Sequence, residues 1–223
     1  NSKVGDTAGN SAKILECAKR AAARGAELVV FPEQCLAGYP ALDLWEDPEF
    51  VSANARALKA LARKTGETAL LVGFVDANPK RVGKPVANAA ALLHRRRIAA
   101  VRWKTLLPTY DVFDETRYFE PARGNAPIRF KGLRLGVTIC EDAWARDVDG
   151  RRLYSIDPVS AQARAGADIL INLSASPLVR GKSRRRLSLL SAHAKRARLP
   201  LLYCNLIGGN DEIVFDGGSL VMD

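Results

Sequence analysis

Apolar positions along the chain follow two patterns. Ile14, Leu15, Ala18 and Ala22 recur at helical spacing, which predicts a helix capped by Asn10, running to about Arg24 and stopped by Gly25. Asp47-Pro48 pairs a capping side chain with a proline at the first helical position and opens a second helix, to about Lys64, that Gly66 terminates. Asp157-Pro158 repeats the device for a helix ending at Gly166, and residues 183–198 place Leu187, Leu190, Ala194 and Ala197 on one helical face. Between these segments lie short continuous apolar runs, the pattern of strands covered on both faces: ELVVF at 27–31, TALLVGFV at 68–75, RLGVTIC at 134–140, DILINLS at 168–174 and PLLYCNL at 200–206. EIVF at 212–215 adds a strand. VANAAALLH (86–94) and IAAVRW (98–103), joined around Arg95–Arg97, read as a hairpin despite their alanines, because Gly83 and Pro85 bound the pair in front. Strands alternating with helices predict an α/β domain, and the hairpins make its sheets mixed.

Composition narrows this picture. The 223 residues are 48% hydrophobic and 26% charged, a globular balance that excludes disorder, and no apolar run approaches the roughly 18 residues of a membrane span. A chain of this length can bury roughly 70% of its unfolded surface without disulfides or a structural metal. Cys17, Cys35, Cys140 and Cys204 form no CxxC pair and only two histidines accompany them, so neither a zinc site nor a disulfide framework is expected. A reducing, cytoplasmic setting fits best. No signal-peptide pattern is read in the sequence, which opens at Asn1 without Met and is expected to be trimmed there.

The formal net charge is +10. Five basic and no acidic residues fall in 94–104, and eight and none in 180–198, leaving 21 basic against 24 acidic residues elsewhere. Such clusters suit nucleic acid, an acidic partner or plain solvation, and no zinc-finger, basic-zipper or RNP-type motif accompanies them.

Three ionisable side chains stand just past predicted strands: Glu33 after LVVFP, Lys104 after IAAVRW and Cys140 at the end of RLGVTI. Ligands and catalytic groups of α/β folds gather at the carboxyl ends of strands. A thiol needs a base to become thiolate, and a cation beside it stabilises thiolate and oxyanion alike, so the three form a chemically complete set. Each alone has a plainer reading, as a small buried hydrophobe or a solvated charge.

The surrounding blocks add a resemblance. FPEQCLAGYP (31–40), KTLLPTYDVFDETRYFEP (104–121), ICEDAW (139–144), NLSASP (172–177) with Gly181-Lys182, and NLIGGNDEIVFDGGS (205–219) occur in this order. Together they resemble the nitrilase (carbon-nitrogen hydrolase) superfamily, in particular the amino-terminal glutaminase domain of glutamine-dependent NAD synthetases. The resemblance implies a four-layer α-β-β-α sandwich with two mixed sheets. It assigns Glu33 as general base, Lys104 as oxyanion-stabilising lysine, Cys140 as nucleophile and Glu115 as a second glutamate supporting the lysine. It further implies that Tyr110, Ser176 and Lys182 hold the amino acid, that Tyr39 and Trp144 wall the pocket, and that the backbone N–H of Glu141 assists at the oxyanion.

On that resemblance the substrate is L-glutamine and the glutaminase reaction needs no cofactor. ATP and magnesium are expected only with a synthetase domain, whose SGGxDS-type phosphate loop this sequence does not contain. The family's opening strand ahead of VGDTAGN is missing, so the single domain is expected to be trimmed at both ends. A homo-oligomer is expected, with neither nucleic acid nor membrane as partner. On the resemblance, ARDVDGRRLYSID (145–157) is expected to be longer than in many relatives, an unusual loop beside the site. Two other readings stand beside this one: a freestanding hydrolase of ω-amides or N-carbamoyl compounds, and a basic binding module without catalysis.

Overall fold

The computed structural model describes every residue except Val148. In chain order its elements are α1 (Thr7–Ala22), β1 (Leu28–Val30), α2 (Pro48–Ala62), β2 (Ala69–Ala77), β3 (Val86–His94), β4 (Arg97–Trp103), the single turn α3 (Glu115–Tyr118), β5 (Ile128–Phe130), β6 (Leu133–Ile139), α4 (Pro158–Arg164), β7 (Ile169–Ser174), α5 (Lys182–Ala197), β8 (Leu201–Asn205), β9 (Ile207–Asn210), β10 (Ile213–Asp216) and β11 (Leu220–Met222). Tight 3₁₀ turns occupy Leu42–Glu46 and Cys140–Trp144. One sheet has the order β1-β2-β3-β4, with β1 parallel to β2 and the remaining pairs antiparallel. The other runs β11-β8-β7-β6-β5, with β6, β7 and β8 parallel and both edge strands antiparallel, and β9 and β10 form a separate hairpin.

Side-chain alternation sorts each strand between two layers. Leu70, Val72 and Phe74 of β2 pack with Ala89, Ala91 and Leu93 of β3 against Ile14 of α1 and Leu58 and Leu61 of α2. The intervening Leu71, Ala90 and Leu92 face the other sheet, meeting Leu135, Val137 and Ile139 of β6 and Ile171 and Leu173 of β7. The far face of that sheet, through Leu170, Leu201 and Tyr203, carries Val159 of α4 and Leu189, Leu190 and Ala194 of α5. The result is the four-layer α-β-β-α sandwich with two mixed sheets, and double coverage explains why β2 and β3 read as unbroken apolar runs. Among the described residues no helix is long and apolar enough to cross a membrane.

Several local expectations shift. Helix α1 begins at Thr7 with Asp6 as its cap, the Asp6 carboxylate accepting from the Gly9 N–H. Asn10 is instead buried inside the helix, where its amide bonds the Lys3 backbone and the Leu36 carbonyl, because a long-range polar tie outweighs its capping preference. In α5 the inward stripe is Arg186, Leu189, Leu190, His193 and Ala194, and Leu187 is 52% exposed. The expected stripe is thus rotated, since a buried arginine with its own partners takes the place that apolarity assigned to Leu187. The 94–97 turn puts two non-glycine residues, Arg95 (φ 48°) and Arg96 (φ 64°), in the left-handed region that a tight two-residue hairpin demands.

Gly73 positions the functional end of the molecule. A Cβ there would lie 2.2 Å from the Pro32 carbonyl oxygen and 2.5 Å from the Gln34 nitrogen, so only glycine lets the segment carrying Glu33 cross β2 at this depth. Gly73→Ala is expected to push Glu33 out of register, lowering kcat by about a hundredfold, the loss that roughly 1 Å of misplacement produces. A thermal melt should fall with it, by the ~1–3 kcal/mol of an overpacked core. Steady-state kinetics and a melt on the variant check both.

Candidate active site

Glu33 leaves β1 through Pro32, Lys104 follows β4 directly and Cys140 follows β6, so strand ends from both sheets converge at one place between them. Cys140 is the first residue of its 3₁₀ turn and adopts φ 42°, a strained conformation for a residue with a side chain and one found at sharp strand-to-helix turns that present a nucleophile. Two buried ties hold this turn. Asp142 accepts from the Thr105 and Leu106 N–H groups (3.0 and 2.8 Å) and from the Ile139 N–H (3.0 Å), which fastens the backbone following Lys104 to the backbone preceding Cys140. His193 of α5 donates to the Ala143 carbonyl at 2.7 Å.

Lys104 is fully buried, with its ammonium 2.7 Å from Glu33 Oε1 and 2.8 Å from Glu115 Oε1. Asn88 of β3 donates to Glu33 Oε1 at 2.7 Å, and the Ala175 N–H donates to Glu33 Oε2 at 2.9 Å. Tyr39 donates to Glu115 Oε1 at 3.1 Å. Two carboxylates therefore share one ammonium away from water. Burial alone would pull the Lys104 ammonium down, but Glu115 and Glu33 outweigh it and hold the group well above the usual lysine range. Burial lifts Glu115 to about 7 against the pull of Lys104. Burial, reinforced by the negative charge of Glu33, pushes the Cys140 thiol up despite Lys104, so the sulfur rests as a neutral thiol and becomes a nucleophile only as its proton leaves.

Cys140 opens onto a cavity of about 760 Å³ lined by Tyr110, Phe113, Glu141, Trp144, Tyr154, Ser176 and Lys182 among others. The Glu141 carboxylate accepts from Tyr110 and Tyr154, each at 2.8 Å. Lys182, at the start of α5, lies 5.8 Å from the Trp144 ring centroid and 6.0 Å from that of Phe113, and desolvation lowers its ammonium. The cavity thus presents a carboxylate and an ammonium beside a thiol. Among the described residues no group of three or more His, Cys, Asp or Glu side chains is placed to hold a metal ion.

The carbon-nitrogen hydrolase family model matches residues 1–223. The chain belongs to the carbon-nitrogen hydrolase family. It is 42% identical over 228 residues to the glutamine-dependent NAD(+) synthetase of Synechocystis sp. and 38% identical over 226 residues to that of Thermotoga maritima, covering the whole of this chain but 41% and 37% of those proteins. Among solved structures it is similar to the glutamine-dependent NAD+ synthetase of Acinetobacter baumannii (TM-score 0.88, 32% identity, 99% of this chain and 39% of that one). It also resembles an amidase from Nesterenkonia sp. (TM-score 0.80, 25% identity, 99% of this chain and 78% of that one). In one structure of that amidase the acetamide moiety of fluoroacetamide is covalently added at the active site cysteine.

Most of the residues expected from the sequence come together: Glu33, Lys104 and Glu115 by direct contact, and Cys140, Tyr110, Glu141, Trp144, Ser176 and Lys182 on the cavity. Tyr39 does not wall the cavity. It is 5% exposed and packs behind the site, where its hydroxyl reaches Glu115, because the ring is drawn into a buried cluster with Phe215. Four residues carry more than the sequence disclosed. Asn88 is the one polar side chain inside the run VANAAALL, a signal in itself, and Asp142 stands two residues past Cys140. Tyr154 lies in the unassigned 145–157 segment, of which Val148 is outside the described residues. Arg186, in the basic cluster 180–198 whose role the sequence leaves open, is 3% exposed and pairs with Asp216 at 3.1 Å and the Ser176 hydroxyl at 3.4 Å.

Proposed function

We propose that this chain hydrolyses the side-chain amide of L-glutamine to glutamate and ammonia through a thioester on Cys140. The observation that carries the reading is the cavity, which sets an acidic and a basic side chain, Glu141 and Lys182, around the thiol. A free amino acid brings an ammonium and a carboxylate, and burying both requires opposite charges in reach. The glutamine-dependent synthetases among the relatives support the same substrate.

In this reading Glu33 takes the thiol proton as Cys140 sulfur attacks the amide carbon, and the carbonyl electron pair moves onto oxygen. The Lys104 ammonium and the Glu141 backbone N–H stabilise that oxyanion. Collapse of the tetrahedral adduct breaks the C–N bond, and Glu33 passes its proton to the leaving ammonia. Water then attacks the thioester, giving a proton to Glu33, and glutamate leaves as that proton returns to sulfur. Lys182 pairs with the substrate carboxylate, Ser176 hydrogen-bonds it, and Glu141, steadied by Tyr110, takes the ammonium, with Trp144 as an apolar wall. No cofactor enters these steps. The ammonia would amidate deamido-NAD in a synthetase domain, where ATP and magnesium belong, in a cytoplasmic homo-oligomer.

A second reading, a simple ω-amide or N-carbamoyl hydrolase, draws on the likeness to the Nesterenkonia amidase. Ammonia release from L-glutamine, from glutaramate, which lacks the α-ammonium, and from an N-carbamoyl amino acid separates the two. Glutamine is expected to lead by about a hundredfold or more in kcat/KM, because an analogue that leaves a buried charge unpaired is strongly rejected. Equal rates on glutaramate would reject the glutamine reading in favour of the second.

A further inference from the structure

The 145–157 segment has no part in the chemistry above, yet it is tied onto the cavity. It doubles back through an Arg146–Arg152 bridge and a 2.9 Å bond from the Leu153 N–H to the Ala145 carbonyl. One ion pair closes the segment on itself, Arg146 to Asp157 at 3.1 Å, and another anchors it to α5, Asp147 to Arg185 at 2.7 Å. The fold-back sets the half-buried Tyr154 on the cavity with its hydroxyl 2.8 Å from Glu141 Oε1, while Tyr110, from a different part of the chain, holds Oε2 at 2.8 Å. The carboxylate is thus gripped at both oxygens, and each keeps lone-pair capacity for one further donor.

We infer that Tyr154 is a specificity-determining positioning residue: by holding Glu141 Oε1 it fixes that carboxylate for a substrate α-ammonium, so that the 145–157 segment selects amino acids over ω-amides without an amino group. The inference rests on the glutamine reading and adds to it the element that enforces the choice. Without the Tyr154 hydroxyl, one oxygen loses its donor and the side chain gains rotational freedom. Burial, which already disfavours the charged form of Glu141, then meets less opposition from hydrogen bonding. Both effects weaken the hold on an ammonium and leave the nucleophile and its base untouched.

Tyr154→Phe removes only the hydroxyl. In the full-length product of the gene, its KM for L-glutamine is expected to rise about tenfold with kcat nearly unchanged, the scale of a lost hydrogen bond to a charged group. The preference for glutamine over glutaramate in kcat/KM should shrink by a similar factor. In a Glu141→Gln background the same substitution should have little further effect on that preference, since its target is gone. An unchanged preference in Tyr154→Phe, a parallel loss on both substrates, or an equal effect of Tyr154→Phe with and without Glu141 would overturn the inference. A wild-type protein that does not prefer glutamine to glutaramate instead sinks the underlying glutamine reading, so the two failures are distinguishable.

Discussion

Cys140→Ala is expected to abolish ammonia release from glutamine, lowering kcat by at least about four orders of magnitude, as loss of a nucleophile does elsewhere. No other described thiol can replace it: Cys17 is exposed on α1, Cys35 is buried with its sulfur on the Gly73 carbonyl at 3.6 Å, and the Cys204 sulfur contacts the Val30 carbonyl at 3.4 Å. The melting temperature should barely move. The contacts that hold the site together, Lys104 to its two glutamates and Asp142 to three backbone N–H groups, bypass the sulfur. Loss of activity at an unchanged melt identifies a chemical role, whereas retained ammonia release would remove Cys140 from the mechanism.

Lys104→Met is expected to cost both activity and stability. The oxyanion loses its cationic donor, worth roughly a hundredfold to a thousandfold in kcat. Glu33 and Glu115, at 1% and 4% exposure, lose their shared counter-charge as well, and stranding a buried charge costs about 3–5 kcal/mol. At about 2–4 °C per kcal/mol for a domain of this size, the melt should fall by roughly 10 °C. This deficit should depend on pH with a definite sign. Burial already raises Glu115 to about 7 with Lys104 present, and removing the lysine raises it further. A carboxyl whose folded value lies above its unfolded value is stabilised below the unfolded value of about 4.5 and loses that stabilisation as pH rises. The variant should therefore be nearest to wild type at about pH 5 and fall behind through pH 7 and above. Melts across this range decide it: a pH-independent deficit would mean that Glu115 is not the titrating partner of Lys104.

Comparable asymmetry marks what could be read in advance. Glu33, Lys104 and Cys140 stand out because each follows an apolar run, and a charged or reactive side chain at a strand end is legible wherever the strand itself is. Asn88 sits in an equally plain apolar run, but its meaning comes from β4 and β1, which bring Lys104 and Glu33 beside it. The basic stretch 180–198 is ambiguous for the same reason: of its eight basic residues only Lys182 has an assigned task, and only packing separates buried Arg186 from exposed neighbours such as Arg185.

By itself the sequence determined the α/β class, the limits of most helices and strands, and the residue types of the site, since these depend on periodicity, capping and strand-end position within a few residues. Tertiary structure decided what those residues do to one another. It set the left-handed turn at Cys140, and the passage of Glu33 over Gly73, the shared ammonium of Lys104, the turning of Tyr39 toward Glu115 and the fold-back of Tyr154 onto Glu141 join residues separated by 11 to 76 positions in the chain. The physical reason is desolvation. A charge or hydroxyl removed from water must find a partner wherever the fold places one, and that partner is set by the packing of two sheets rather than by its neighbours in the chain.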